Sequence, residues 1–413
     1  MRAGRLVTIL KGSRPESVLA EMTRLLAAAR AMLRSIAYAA VPEARGKRDL
    51  RIDLLRGFCV FVMTVDHVGG ESSWLYVLTG GNHFYVSAAE GFVLLSGIAM
   101  GMVHASTIER DGARAMFGKV LARARFLYVL TVALTISFAA VSAALGTPWA
   151  TAATPAQDEL SFALAVATFH RSYSLTDVLV LYTLLVVAAA PILWLMSRRA
   201  TPIVLALSVG FWGLAQISLD LVPRAWPIVD GGFPFSAWQV LFVMGLAIGF
   251  HRRRIAAYLE PRRLVALGVA AVVALVVVNA IATHFVSGWI GIDARELLFD
   301  KNDTRIGRVL ALLATASFAY AAVTVAWVPI RNWTGWLLLM MGQRSLFAYG
   351  VQLFAVAFWS SGLMAPVRVN RENALFQASA VLMVWLACRL QPIAAQQLAR
   401  RRYAGSPRLA TAS

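Results

Sequence analysis

Ten runs of apolar residues divide the chain, at roughly 52–69, 85–106, 122–146, 176–196, 202–220, 236–250, 264–285, 307–328, 335–359 and 374–391. Each is close to the ~20 residues a helix needs to cross the hydrocarbon core of a bilayer, although the sixth is short. The pattern predicts an all-α fold, a polytopic membrane helix bundle of about ten transmembrane helices. No soluble domain, internal repeat or low-complexity tract interrupts it. Ahead of the first run, Val18, Leu19, Met22, Leu25, Leu26, Met32, Leu33 and Ile36 fall on one helical arc, with Arg24, Arg30 and Arg34 outside it. That distribution predicts a basic amphipathic helix on the inner leaflet. Three segments follow: a basic extension over 1–49, a ten-helix domain over 50–396 and a basic tail over 397–413.

Composition agrees. Hydrophobic residues make up 59% of the chain and charged residues 15%, and the mean hydropathy is +0.67. This is an integral membrane protein with the lipid bilayer as its first partner. A net charge of +18 would point to nucleic acid in a soluble protein, but here the basic residues report topology, and no nucleic-acid partner is expected. With the N-terminus cytoplasmic, 29 of the 39 Lys and Arg residues fall in inside segments and 8 in outside loops. That bias predicts a multi-pass protein of the bacterial inner membrane with both termini cytoplasmic. Cys59 and Cys388 lie inside apolar runs, and neither HExxH nor CxxC occurs, so neither a disulfide framework nor a metal site is expected.

The first two runs carry the costly groups: Asp53, Arg56, Asp66 and His67 in the first, and Glu90 opening the second. Charged groups at such depth cost roughly 2.5–3.5 kcal/mol each and are retained where they pair, line a wet cavity or do chemistry. At about 100° per residue, Asp53, Arg56, Thr64 and His67 share an arc of roughly 80°, while Asp66 points nearly the other way. Arg56 and His67 lie about 16 Å apart along the axis, a spacing suited to opposite ends of one elongated ligand. On the second helix Glu90, Gly97, Gly101 and His104 share a face. Gly97-xxx-Gly101 allows close helix approach, and Glu90 is placed to orient the His67 imidazole and raise its basicity. Plainer readings stand beside these: Asp53 and Arg56 neutralising each other, and His67 as a hydrogen-bonded interior histidine.

Other residues are less sharply read. Asn82 and His83 precede the second run at the outer surface. Trp74, Tyr76, Tyr85, Trp149, Tyr173, Trp226 and Trp289 form either an interfacial aromatic belt or a sugar-stacking platform. Arg123, Arg125 and Arg252 to Arg254 on the inner side serve as topogenic charges or as holders of nucleotide phosphates. Ser345, Tyr349 and Gln352 share a face with Gly342, either lining a tunnel or bonding between helices. His104, His170, His251 and His284 are expected at interfaces.

The segments RIDLLRG, DH and SAAEGFVLLSG, followed by TDVLVLYTLLVVAAAP at 176–191, FPFSAWQVLFVMGLAIG at 233–249, LLFDKNDTRIGRVLALLA at 297–314 and MGQRSLFAYGVQLF at 341–354, resemble the membrane acyltransferase superfamily. Within it, the likeness is to the OpgC group, the succinyltransferases of osmoregulated periplasmic glucans, over about 50–391. One departure is Gln343-Arg344, where an arginine–histidine pair is expected. The resemblance implies acyl transfer across a membrane, from cytoplasmic acyl-CoA to a hydroxyl of an outer glycan. It implies that His67 is catalytic and that Asp53 and Arg56 serve the donor; the residues themselves offer Glu90 or Asp66 as the assisting acid. Arg123, Arg125 and Ser345 join the donor set; Asn82, His83, Trp74, Asp177, Trp238 and Gln239 make the acceptor set. A glycan or lipid-linked-sugar transporter and an amino-sugar N-acetyltransferase on the same fold stay open, as does assembly of several copies of the chain.

Overall fold

The computed structural model describes residues 48–69, 73–79, 85–147, 158–217 except 174, 233–281 except 259, 294–361 and 373–404, with 364 and part of 21–46. Among the described residues it is helical and contains no strand. In chain order the helices are α1 (Leu50–Gly69), α2 (Trp74–Leu78), α3 (Ala88–Leu145), α4 (Glu159–Ala167), α5 (Asp177–Ser197), α6 (Thr201–Ile217), α7 (Phe235–Phe250), α8 (Arg252–Tyr258), α9 (Pro261–Ile281), α10 (Ala294–Phe299), α11 (Ile306–Val325), α12 (Trp327–Gln343), α13 (Ser345–Trp359) and α14 (Asn373–Ala404). Five are long and apolar enough to cross a membrane, namely α3, α5, α9, α11 and α14; α6, α7 and α13 are shorter apolar helices. On α9, Leu267, Val273, Val276 and Val277 face outward, a surface stable against hydrocarbon but not against water. The chain is a multi-pass membrane protein.

The second and third runs fall on the two halves of α3, two helices that meet at a kink at Gly112, where φ is +82°. Glycine enters that left-handed region without a Cβ clash. The single run at 335–359 is instead broken: α12 ends at Gln343, Arg344 takes φ −120° and ψ 31°, and α13 starts at Ser345. Apolar residues on both sides hide that break from a hydropathy reading.

Close packing at glycines fixes the bundle around the site. The Gly97-xxx-Gly101 stripe of α3 meets Gly245-xxx-Gly249 of α7. A Cβ built at Gly97 would lie 2.3 Å from the Phe242 carbonyl, and one at Gly249 would lie 2.0 Å from the Ile98 carbonyl. The predicted small-residue face is therefore a helix–helix contact. A second contact of this kind joins α1 to α12, where a Cβ at Gly57 would lie 1.9 Å from the Leu338 carbonyl and one at Gly342 would lie 1.7 Å from the Asp53 carbonyl.

The chain just before α1 packs on the end of the bundle where α1 begins. Tyr38 is buried edge-on to Trp327, with ring centroids 4.9 Å apart. Arg51 lies between the rings of Tyr38 and Tyr320, at 4.3 and 4.6 Å, and donates to both carboxylate oxygens of Asp49 and to Thr324 Oγ1. Arg331 pairs with Glu43 at 2.8 Å. Burial raises the Tyr38 phenol above its ordinary value. The entry into α1 is thus clamped to α11 and α12.

Candidate active site

α1 places one polar group near each end of a continuous helix. At its C-terminal end His67 is half-buried, and its Nδ1 lies 3.2 Å from the side-chain nitrogen of Gln352 on α13. Gln352 is fully buried, and its other amide atom lies 3.3 Å from Thr64 Oγ1. Thr64 donates its hydroxyl proton to the Val60 carbonyl at 2.8 Å, a bond within the helix. Asp66 turns away from this group and accepts from Thr79 Oγ1 at 3.0 Å, beyond the end of α2. The helical geometry expected of Asp66 against His67 is therefore seen.

One cation acts on several of these groups. Lys301, in the turn between α10 and α11, is an electrostatic neighbour of Asp66, His67 and Asp177, and its ammonium lies 5.9 Å from the Phe233 ring centre. Asp177 opens α5, where its carboxylate accepts from the Val178 N–H at 2.8 Å. Tyr349, one helical turn before Gln352 on α13, donates to the Leu175 carbonyl. Gln377 of α14 holds the C-terminal end of α1 by donating to the Val65 carbonyl at 3.1 Å, and it accepts from Ser73.

At the N-terminal end of α1 the plainer reading, Asp53 and Arg56 neutralising each other, is replaced. Arg48 takes Asp53, with a second bond at 2.8 Å, and its guanidinium also reaches the Gln343 carbonyl at 3.4 Å. The Arg56 Nε is buried with no hydrogen-bond partner among the described residues, and its guanidinium lies 5.5 Å from the Phe92 ring centre. Arg48, Asp53, Arg123 and Tyr182 are its electrostatic neighbours. A buried donor without an acceptor is a costly arrangement unless a ligand supplies one.

The remaining sequence-predicted residues divide. Arg123 is half-buried beside Arg56, whereas Arg125 is exposed. Ser345 is buried at the start of α13, directly after the α12–α13 break. Glu90 is not paired with His67 in this structure. One of its oxygens accepts from Arg308 Nε of α11 at 2.5 Å, and the other from the Ser87 N–H at 2.7 Å in the capping box that starts α3. With both oxygens engaged and the residue only 1% exposed, Glu90 serves packing. Trp238 and Gln239 are likewise turned inward: Trp238 is buried and donates to the Asn302 carbonyl at 3.1 Å, while Gln239 bonds to Ser208 and Ser236. Trp74 is 64% exposed on α2. His104, expected at an interface, is buried. Asn82, His83, Trp149, Trp226, Trp289 and His284 lie outside the described residues.

Sequence reasoning passed over two residues that shape the site and left a third without its partner. Arg308 is the second residue of the apolar run at 307–328, and an arginine at the mouth of such a run signals an acid partner across the bundle. Arg48 sits five residues before Asp53 at the entry to α1. Gln352 shared the α13 face with Tyr349 but carried no signal linking it to His67, 285 residues away.

In this multi-pass helical membrane protein a guanidinium and an imidazole stand near opposite ends of one helix, α1. The family model described as OpgC protein matches residues 48–396, and the chain belongs to that family. This membership carries a membrane acyltransferase-type function. No curated protein and no solved structure matches the chain.

Proposed function

We propose that the protein is an O-acyltransferase of the bacterial inner membrane. It moves an acyl group, succinyl in the leading case, from cytoplasmic acyl-CoA to a hydroxyl of a glycan on the outer side. Both termini are cytoplasmic. His67 takes the proton of the acceptor hydroxyl as that oxygen attacks the thioester carbonyl. The tetrahedral intermediate then collapses, expelling the CoA thiolate, which recovers the proton from the imidazolium. Lys301, whose charge reaches His67, favours the negative charge that builds on the carbonyl oxygen. Arg56, with Arg123 beside it, receives anionic oxygens of the donor.

The observation that carries this reading is the pairing of ends on α1: a buried Arg56 Nε without an acceptor among the described residues near one end, and an imidazole bonded to Gln352 at the other. Thioester consumption tests it. In proteoliposomes supplied with acyl-CoA and glycan, the wild-type protein releases free CoA thiol in step with acylated glycan. His67→Ala slows both by roughly 10²–10⁴-fold. Wild-type turnover by a folded His67→Ala protein defeats the reading, as does glycan movement without thiol release.

A further inference from the structure

We infer that Gln352 is a positioning residue that holds His67 with its proton on Nδ1, so that Nε2 keeps the lone pair and acts as the base; this rests on His67 being the base proposed above. The argument is a count of protons along the chain Val60, Thr64, Gln352 and His67. The Thr64 hydroxyl has one proton, and the Val60 carbonyl at 2.8 Å takes it. The Gln352 amide bridges Thr64 Oγ1 at 3.3 Å and His67 Nδ1 at 3.2 Å, and its two ends have the same shape.

With the amide oxygen toward Thr64, two acceptors face each other unless Thr64 gives up its bond to Val60. With the amide nitrogen toward Thr64, that nitrogen donates to Oγ1, the oxygen turns to His67, and Nδ1–H donates to it. The second arrangement satisfies all three contacts in a fully buried place, while the first satisfies two. His67 then has one free ring nitrogen able to accept a proton, and it is Nε2. The same bond fixes the ring plane, as a second partner commonly does for a working histidine.

Nitrogen-15 solid-state NMR of histidine-labelled protein in liposomes tests this directly, because protonated and unprotonated ring nitrogens resonate far apart. The chain has six histidines, and the His67 signals are those missing from His67→Ala. The expected wild-type result is Nδ1 protonated and Nε2 bare. Gln352→Leu, of similar volume, shifts His67 toward the Nε2–H form and lowers kcat about 10²-fold with KM unchanged. Gln352→Glu, which still accepts from Nδ1–H, keeps the wild-type tautomer and recovers part of that loss. Thr64→Val leaves Gln352 in place but removes the acceptor that orients its amide; it gives a mixture of tautomers and an intermediate rate, and it serves should Gln352→Leu fail to fold. A wild-type His67 protonated on Nε2 overturns the inference, as does a folded Gln352→Leu protein with an unchanged tautomer. His67→Ala separates the two layers: if it is inactive while wild-type His67 carries its proton on Nε2, only the role of Gln352 falls. If His67→Ala turns over normally, the base assignment falls and takes this inference with it.

Discussion

Arg308 and Glu90 meet in a buried ion pair, Nε to Oε1 at 2.5 Å, that ties the start of α11 to the capping box of α3. The guanidinium also donates to the Phe299 carbonyl at 3.3 Å, so a single side chain joins α3, α10 and α11. Removing one partner of such a pair leaves an uncompensated buried charge, which costs about 3–5 kcal/mol. Arg308→Ala is therefore expected to lower the thermal unfolding midpoint in detergent sharply. Replacing both charges, as in Arg308→Met with Glu90→Gln, recovers much of the loss because no lone charge remains. If Arg308→Ala melted like the wild-type protein, the pair would carry no structural weight.

Arg56 differs from Arg308 in having a buried Nε that bonds to none of the described residues. If the donor supplies the acceptor, Arg56→Ala raises KM for acyl-CoA about 10- to 100-fold, in line with one charge-assisted hydrogen bond, and leaves kcat nearly unchanged. Arg56→Lys keeps the charge but lacks the planar fork, and its KM falls between the two. Steady-state kinetics over a range of acyl-CoA concentrations reads this out. A loss of kcat at constant KM excludes a donor-binding role.

The polar stripe of α1 was legible in the sequence because the period of a helix is local: Asp53, Arg56, Thr64 and His67 need only their own spacing to share a side. The Gly97-xxx-Gly101 face was legible for the same reason. What lies across the bundle was not. Arg308 is 218 residues from Glu90, and a helical wheel assigns a face without saying which helix covers it. The carboxylate therefore looked free for His67. Gln239 misled in the same way, since a polar residue in an apolar run satisfies itself equally well on a neighbouring helix or on a substrate. The break at Arg344 was invisible to hydropathy because only a short polar interruption separates two apolar helices.

Gly342 sits where α12 crosses the first turn of α1, and the added methyl of Gly342→Ala would lie 1.7 Å from the Asp53 carbonyl. No rotamer relieves a clash with backbone, so the two helices must separate, at a cost of about 1–3 kcal/mol or more. Separation also draws the Gln343 carbonyl away from Arg48 and loosens its hold on Asp53. Both the unfolding midpoint and turnover are expected to fall. Gly118→Ala is the control: its Cβ meets nothing within 4 Å, and a helical alanine there stabilises by about 0.5–1 kcal/mol. Equal behaviour of the two variants would show that α1 and α12 are not held at this distance.

Gln239 allows structure and substrate roles to be told apart. Its amide nitrogen donates to the Ser208 carbonyl at 2.8 Å and the Ser236 carbonyl at 3.2 Å, and its oxygen accepts from Ser208 Oγ at 2.6 Å. The side chain is thus committed to the α6–α7 contact, in a residue only 5% exposed. Gln239→Leu keeps the volume and strands the Ser208 hydroxyl, an expected loss of about 1–3 kcal/mol. The unfolding midpoint should drop, while KM for the glycan acceptor at a temperature where the variant is folded should stay at the wild-type value. A tenfold rise in acceptor KM with an unshifted midpoint would place the Gln239 amide against the substrate instead, and would mean that α6 and α7 part when the acceptor binds.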